Sequence, residues 1–290
     1  MKRKKPYLLA ILMIIIAGTI FSCKEKKASE SPRITFDSIV VEKHIPLLAE
    51  TDTTLPYSDV TVSFTYPTRF RNEEALARLQ QIFLGTFFGD IAYDKLSPAD
   101  AVDKYIADYT AEYREISNSF YEEKARLDGE TPQWYWYYMM NTNKILHKND
   151  SIISYAVEYA DYTGGAHGSY QITFTNIDLN ELVTLSEEDI FIPDYYNRLT
   201  EKIVSNLMKE YEVTEPDSLI RRGFFAVEDI APNNNFWLNE EGIHYAYNQY
   251  EIAPYSSGVI EVTIPYSDLK DILLPNGIVA RYFLKGDSRD

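Results

Sequence analysis

The residues in this chain able to do acid-base, nucleophilic or metal chemistry are few, apart from its acids. Four histidines and one cysteine stand among 44 Asp and Glu. His167 lies in a run of Tyr162, Thr163, Gly164, Gly165, Ala166, His167 and Gly168, shortly after Glu158 and Asp161. An imidazole beside carboxylates can serve as a general base or a metal ligand. An imidazole bonded to the backbone of a turn only fixes a hairpin, and the glycines argue for such a turn. Two carboxylates facing each other across a sugar would make a glycosidase. Candidates are Glu158, Asp161, Glu187, Glu188 and Asp189, but 44 acids single out no pair. His44, His147 and His244 sit in strand-like segments with no second His at ligand spacing, so neither a metal nor a cofactor is expected. Ser267, Asp268, Leu269 and Lys270 match the SxxK pattern of penicillin-binding enzymes, but no KTG partner follows. Ser267 reads instead as the N-cap of a short helix. GxSxG, HExxH, P-loop and dinucleotide fingerprints are absent.

The lone cysteine has a better-defined setting. Lys2, Arg3, Lys4 and Lys5 precede a largely apolar run, residues 7–21 (YLLAILMIIIAGTIF), that stops at Ser22-Cys23. Fifteen residues suit the core of a signal peptide and fall short of the roughly 20 that span a bilayer. A small residue before a cysteine resembles a bacterial lipobox, with Phe21 bulkier than the pattern. A membrane span with an incidental cysteine is the alternative. Residues 1–22 are thus expected to be a lipoprotein signal peptide and Cys23 the lipidated residue, on an exported body without thiols. Residues 23–33, charged and ending near Pro32, read as a tether.

Composition narrows the partners. The chain has 28 basic and 44 acidic residues, a charge of −16. Losing residues 1–22 removes four basic residues and no acidic one, leaving −20. A body so acidic repels phosphate backbones, which excludes nucleic acid. At 45% hydrophobic residues it can fill a core, which excludes general disorder. Its 24 tyrosines and three tryptophans are the more informative feature. Trp134, Trp136 and Tyr138 alternate with Tyr135 and Tyr137, which predicts one strand with aromatics on both faces. Phe236, Trp237, Tyr245, Tyr247, Tyr250 and Tyr255 form a second group. Such residues fill cores or make binding platforms, and Trp134, Trp136, Trp237, Tyr250 and Tyr255 are the candidate binding surface.

The elements that must position these residues alternate in kind. Residues 38–48 and 59–66 read as strands, the second with period two. Asn72 caps a helix that ends near Gly85 or Gly89, and Ser97-Pro98 opens another with a stripe to Tyr113. Strands follow at 133–147, 151–161 and 169–178, then a turn capped by Ser186, a helix near 195–211, strands at 243–249 and 258–264, and a helix near 267–273. Segregated helices and strands predict an α+β fold, antiparallel sheets with helices on one face, in two related halves, 34–180 and 181–290.

Two segments carry a family resemblance. One is the 162–168 run between strands. The other is Asn235-Phe236-Trp237-Leu238, continuing through Glu251-Ile252-Ala253-Pro254-Tyr255-Ser256-Ser257-Gly258 to 260–266 (IEVTIPY). Together they resemble the paired domains of unknown function in the extracellular part of RsiV-type anti-sigma factors, which also precede the catalytic domain of some peptidoglycan deacetylases. The resemblance covers residues 34–274. It implies extracytoplasmic binding, with lysozyme the ligand of the RsiV type. Six residues precede the apolar run and the chain ends at Asp290, so neither a sigma-binding nor a deacetylase domain is expected. The expectation is a lipid-anchored envelope protein that binds a protein such as lysozyme, or a cell-wall glycan, without catalysis. The rivals are a glycan hydrolase or deacetylase built on His167, and a purely structural envelope component.

Overall fold

A computed structural model describes residues 34–48 and 54–284, so Cys23, the signal segment and the tether lie outside the described residues. Two long strands open the fold, β1 (Thr35–Pro46) and β2 (Tyr57–Arg69), paired antiparallel. The period-two alternation does what it predicts: Val60, Val62 and Phe64 are buried. They pack under α1 (Glu73–Phe88) and α2 (Pro98–Glu115). Asn72 caps α1, accepting from the amide of Ala75 at 2.8 Å, and Gly89 closes it at φ 67°. Ser97 caps α2 with Pro98 behind it. A third helix, α3 (Ser117–Arg126), follows directly with no side-chain cap, and its start was therefore invisible in the sequence.

These helices form the crossover that lets β3 (Tyr137–Lys148) lie parallel to β2, the one departure from an antiparallel sheet. β3 also starts later than the alternation of aromatics predicts. Gln133–Tyr135 is a 3-10 turn after Pro132, which turns Tyr135 inward onto Phe120 with ring centres 5.3 Å apart. Tyr113 donates its hydroxyl to the Tyr135 carbonyl at 2.8 Å. Trp134 and Trp136 therefore do not belong to the strand. β4 (Ile152–Tyr162), β5 (Ser169–Asp178) and β6 (Val183–Leu185) complete the sheet in the order β1-β2-β3-β4-β5-β6.

Beyond β6, Ser186 and Asp189 form a capping box. α4 (Tyr196–Glu210) then buries Leu199, Ile203 and Leu207 against a three-stranded antiparallel sheet of β7 (Phe236–Leu238), β8 (Gly242–Tyr247) and β9 (Ile260–Pro265). Short helices α5 (Tyr266–Leu269) and α6 (Ile278–Tyr282) follow. Two cores result, one beneath α1, α2 and α3, the other beneath α4, and the described residues form one compact unit. A small third cluster, Ala156, Ile172, Phe174 and Ala246, joins the free face of the large sheet to the small one. With both its faces covered, β4 is buried at every position from Ile152 to Val157, a run apolar but for Ser154.

The seam between the sheets is stitched by amides. β6 covers only the last three residues of β5. Earlier in β5, side chains replace a strand. Gln249 Oε1 accepts from the amide of Tyr170 at 3.2 Å, Asn248 Oδ1 from Ile172 at 2.8 Å and Asn235 Oδ1 from Phe174 at 2.8 Å. Asn248 and Asn235 also donate to the Ile172 carbonyl, at 3.1 and 3.0 Å. Asn176 Nδ2 donates to the Phe236 carbonyl at 2.7 Å, and Ser154 Oγ to the Leu238 carbonyl at 3.0 Å. Removing Asn235 strands one backbone donor in a largely dry seam. Asn235→Ala is expected to cost roughly 1–3 kcal/mol, read as a lower urea midpoint.

Candidate functional site

The 162–168 run is the hairpin between β4 and β5, and its glycines answer to close packing. Gly164 has φ 81°, and a Cβ there would lie 2.4 Å from the Trp134 carbonyl oxygen. At Gly168 a Cβ would lie 2.3 Å from the Tyr138 hydroxyl and 2.6 Å from the Asp161 carbonyl. Gly165 has neither constraint, so the turn needs one left-handed glycine and not the pair. Tyr162 clamps the tip, accepting from the Gly165 amide at 3.2 Å and donating to its carbonyl at 3.0 Å. Its ring lies parallel to that of Tyr138, centres 6.3 Å apart. Thr163 and Ala166 are exposed. Trp134 donates its indole N–H to Glu123 at 2.9 Å.

His167 meets the second motif. Its ring stacks on Tyr255 at 3.9 Å between centres and 26° between planes. Its Nδ1 donates to the Gly168 carbonyl at 2.9 Å, and Nε2 accepts from the Tyr250 hydroxyl at 3.4 Å. Tyr250 sits at φ 68°, a left-handed conformation unusual for a tyrosine, and is 58% exposed. Gln249, the last stitch of the seam, immediately precedes it. The bonds of Nδ1 to a backbone carbonyl and Nε2 to a phenol leave the ring without a carboxylate partner. Glu158 is paired with Lys144 at 2.7 Å and accepts from Tyr170 at 3.1 Å. That phenol is pushed up to about 12 by burial and by Glu158. Asp161 accepts from Ser169 Oγ and from Tyr159 at 3.5 Å. The hairpin histidine therefore lacks the orienting acid of a general base.

The five candidate aromatics do not share one surface. Trp134, 46% exposed, lies beside the hairpin with Tyr138, 42% exposed. Tyr250 and Tyr255 lie on the His167 side. Trp136 is half-buried, edge-on to Tyr57 at 6.5 Å. Trp237 is half-buried in the seam, stacked on His244 at 4.0 Å. His244 bonds Asn239 and Thr263 at 2.9 and 2.8 Å, and burial lowers its pKa. His44 contacts Asp59 at 2.9 Å, and His147 contacts Glu240 at 3.5 Å. Among the described residues no three His, Cys, Asp or Glu side chains converge on a point that could hold a metal. Ser267 is not an N-cap, because Pro265 holds that position, and its hydroxyl bonds Asp268 at 3.2 Å. Asn235, Asn248 and Gln249, which carry the loop to His167, were missed in the sequence. Their signal was the polar runs at 233–235, just before β7, and 248–249, just after β8.

One acid is spent on structure. Glu187 is 5% exposed, accepting from the Asn234 amide at 2.8 Å and from Tyr195 at 3.1 Å. Burial raises its pKa above the ordinary 4.5 against the pull of these bonds. A carboxyl whose folded pKa is raised contributes stability below the unfolded value and loses it as pH rises through the folded one. Wild type should therefore lose urea stability relative to Glu187→Gln as pH climbs through that window.

A two-core α+β body, with a glycine-tight hairpin clasped by an aromatic loop, defines the class of this protein. A family model described as "Deacetylase PdaC" matches residues 57–170, taking in the hairpin. The model of a protein family of unknown function, DUF3298, matches residues 188–267. The pair expected from the two motifs is thus present. A DUF3298 member from Bacteroides fragilis is 33% identical, with a TM-score of 0.80 over 86% of this chain and 97% of that one. This chain belongs to the DUF3298 family. A DUF3298 protein from Pseudomonas aeruginosa, 16% identical over 84% of this chain and 96% of its own, shares the fold with a TM-score of 0.54. No curated protein matches.

The glycine geometry separates two substitutions. Gly164→Ala should cost roughly 1–3 kcal/mol through its positive φ alone, and the clash with Trp134 should alter tryptophan emission. Gly165→Ala should leave both stability and emission unchanged.

Proposed function

We propose that this protein is an exported, lipid-anchored component of the bacterial cell envelope that binds a protein such as lysozyme, or a cell-wall glycan, without catalysis. The junction of His167, Tyr250 and Tyr255, with Trp134 and Tyr138 on the other flank of the hairpin, is the contact surface. The observation that carries this reading is the composition of that junction: the exposed ring of Tyr250 and the half-buried ring of Tyr255 against a histidine whose nitrogens are both engaged and which no carboxylate orients. Amphipathic rings held rigidly supply contact area at small entropic cost. The position of the junction supports the reading too. β4 separates the hairpin from the end of the sheet where residue 34 enters, about 35 Å away at 3.3 Å per residue. A body tethered through Cys23 can thus present the hairpin away from the bilayer. Its excess acid complements a basic partner such as lysozyme and would speed the encounter at low salt.

Calorimetric titration of the protein with lysozyme and with soluble cell-wall fragments, at low salt, tests the reading. Heat of binding is expected with one of the two. Tyr250→Ala is expected to weaken that binding roughly thirtyfold, the size of a hot-spot tyrosine, with an unchanged urea midpoint. Absence of heat with both would refute the reading. Cys23→Ser is expected to release the protein from the membrane fraction, and unchanged fractionation would refute the anchor.

A further inference from the structure

The end of the large sheet opposite the hairpin holds a cleft of a different kind. The start of β1, the ends of β2, β3 and β5, and the turn before β4 meet there around a cavity of about 410 Å³, lined by Ile34, Arg69, Arg71, Lys148, Asn149 and Asp150 among others. In a chain with 44 acids to 28 bases, three of its charged lining groups are basic and one is acidic. None of the three cations is in an ion pair among the described residues. Arg71 is held by neutral acceptors, its Nη1 3.4 Å from the Asn180 carbonyl and its Nη2 3.2 Å from Asn180 Oδ1. Asn180 is itself fixed, its backbone amide donating to Asp178 Oδ1 at 2.7 Å and its Nδ2 to the Tyr282 hydroxyl at 2.8 Å. The guanidinium also lies over Phe70 at 4.8 Å, and Lys148 Nζ over Phe36 at 5.4 Å. Both charges are therefore oriented by groups that do not neutralise them.

The rest of the rim is equally set. Asn149 Oδ1 accepts from the amides of Ser151 and Ile152, both at 2.8 Å, and the Leu179 amide donates to the Ser151 carbonyl at 2.8 Å. Three uncompensated cations around a small cavity, with Arg71 and Lys148 held in place, match a tetrahedral oxyanion, which an arginine fork binds through paired N–H donors. We propose that this cleft binds a phosphate group, with Arg71 and Arg69 as its donors and Lys148 as a third charge. The source follows from position. Ile34 forms one wall, and the eleven residues from 23 to 33 reach at most about 40 Å. A lipid attached at Cys23 would thus keep the cleft within range of phospholipid headgroups, and a soluble phosphate ester offers the same chemistry. The cleft does not depend on what the hairpin junction binds, so failure of the lysozyme and glycan titrations leaves it standing.

Arginine-selective labelling of the full chain in a neutral detergent, with phenylglyoxal and peptide mass spectrometry, tests the proposal. Inorganic phosphate is expected to slow modification of Arg69 and Arg71 roughly fivefold at an occupancy of about 80%. Arg126, on α3 and outside the cleft, should react at its original rate. In Arg69→Gln, at an exposed position whose side chain makes no hydrogen bond or ion pair among the described residues, the urea midpoint should be unchanged and protection of Arg71 should fall. Sodium chloride of equal ionic strength giving the same protection, or equal slowing of Arg126, would overturn the proposal. Repeating the labelling in phosphatidylglycerol nanodiscs without phosphate assigns the source: protection there supports a headgroup, and protection by phosphate alone supports a soluble ester.

Discussion

The organisation of this protein rests on an unfilled edge. β5 has β4 on one side, but β6 is too short to cover more than its last residues on the other. Backbone N–H and C=O groups left dry at such an edge would cost more than any single contact could return. The amide side chains of Asn235, Asn248 and Gln249 take the place of the missing strand, the two asparagines each matching a backbone donor and an acceptor of β5 and Gln249 a donor. Because Asn235 leads into β7 and Asn248 and Gln249 follow β8, satisfying the edge of one sheet fixes where the other sheet lies. The apolar cluster of Ala156, Ile172, Phe174 and Ala246 closes beneath the stitches.

The same constraint builds the hairpin junction. Gln249 ends the seam, and the chain turns at once into Tyr250 and the loop that carries Tyr255. His167 is reached from the other direction, through a hairpin whose glycines admit Trp134 and Tyr138 at distances that a Cβ would forbid. The two family motifs, far apart in sequence, are thus two sides of one contact. Its chemistry is that of a shaped surface: a histidine bonded to a carbonyl and a phenol, rings at several angles, and acids already committed to Lys144, Ser169 and tyrosines.

Much of this was legible in the chain. Alternation at 59–66, the Asn72 and Ser97 caps and the 199, 203, 207 stripe each report a local rule that the packing obeys. What failed did so for identifiable reasons. α3 has no capping side chain to announce it, Pro132 and the burial of Tyr135 bent an aromatic alternation out of its strand, and Ser267 follows a cap position already taken by Pro265. Trp237 looked available for binding but is half-covered in the seam by His244, since an aromatic residue reads the same from the sequence whether a neighbour covers it or not.

The sequence by itself determined the α+β class, most element positions, the acidic surface and the two motifs, because these depend on periodicity, capping and composition over a few residues. Only the tertiary structure decided that the motifs touch, that Asn and Gln side chains complete a sheet edge, and that Arg69, Arg71 and Lys148 ring one cleft at its far end. Those facts depend on strand order and register, which bring together residues about 60 to 90 positions apart and which no local pattern encodes.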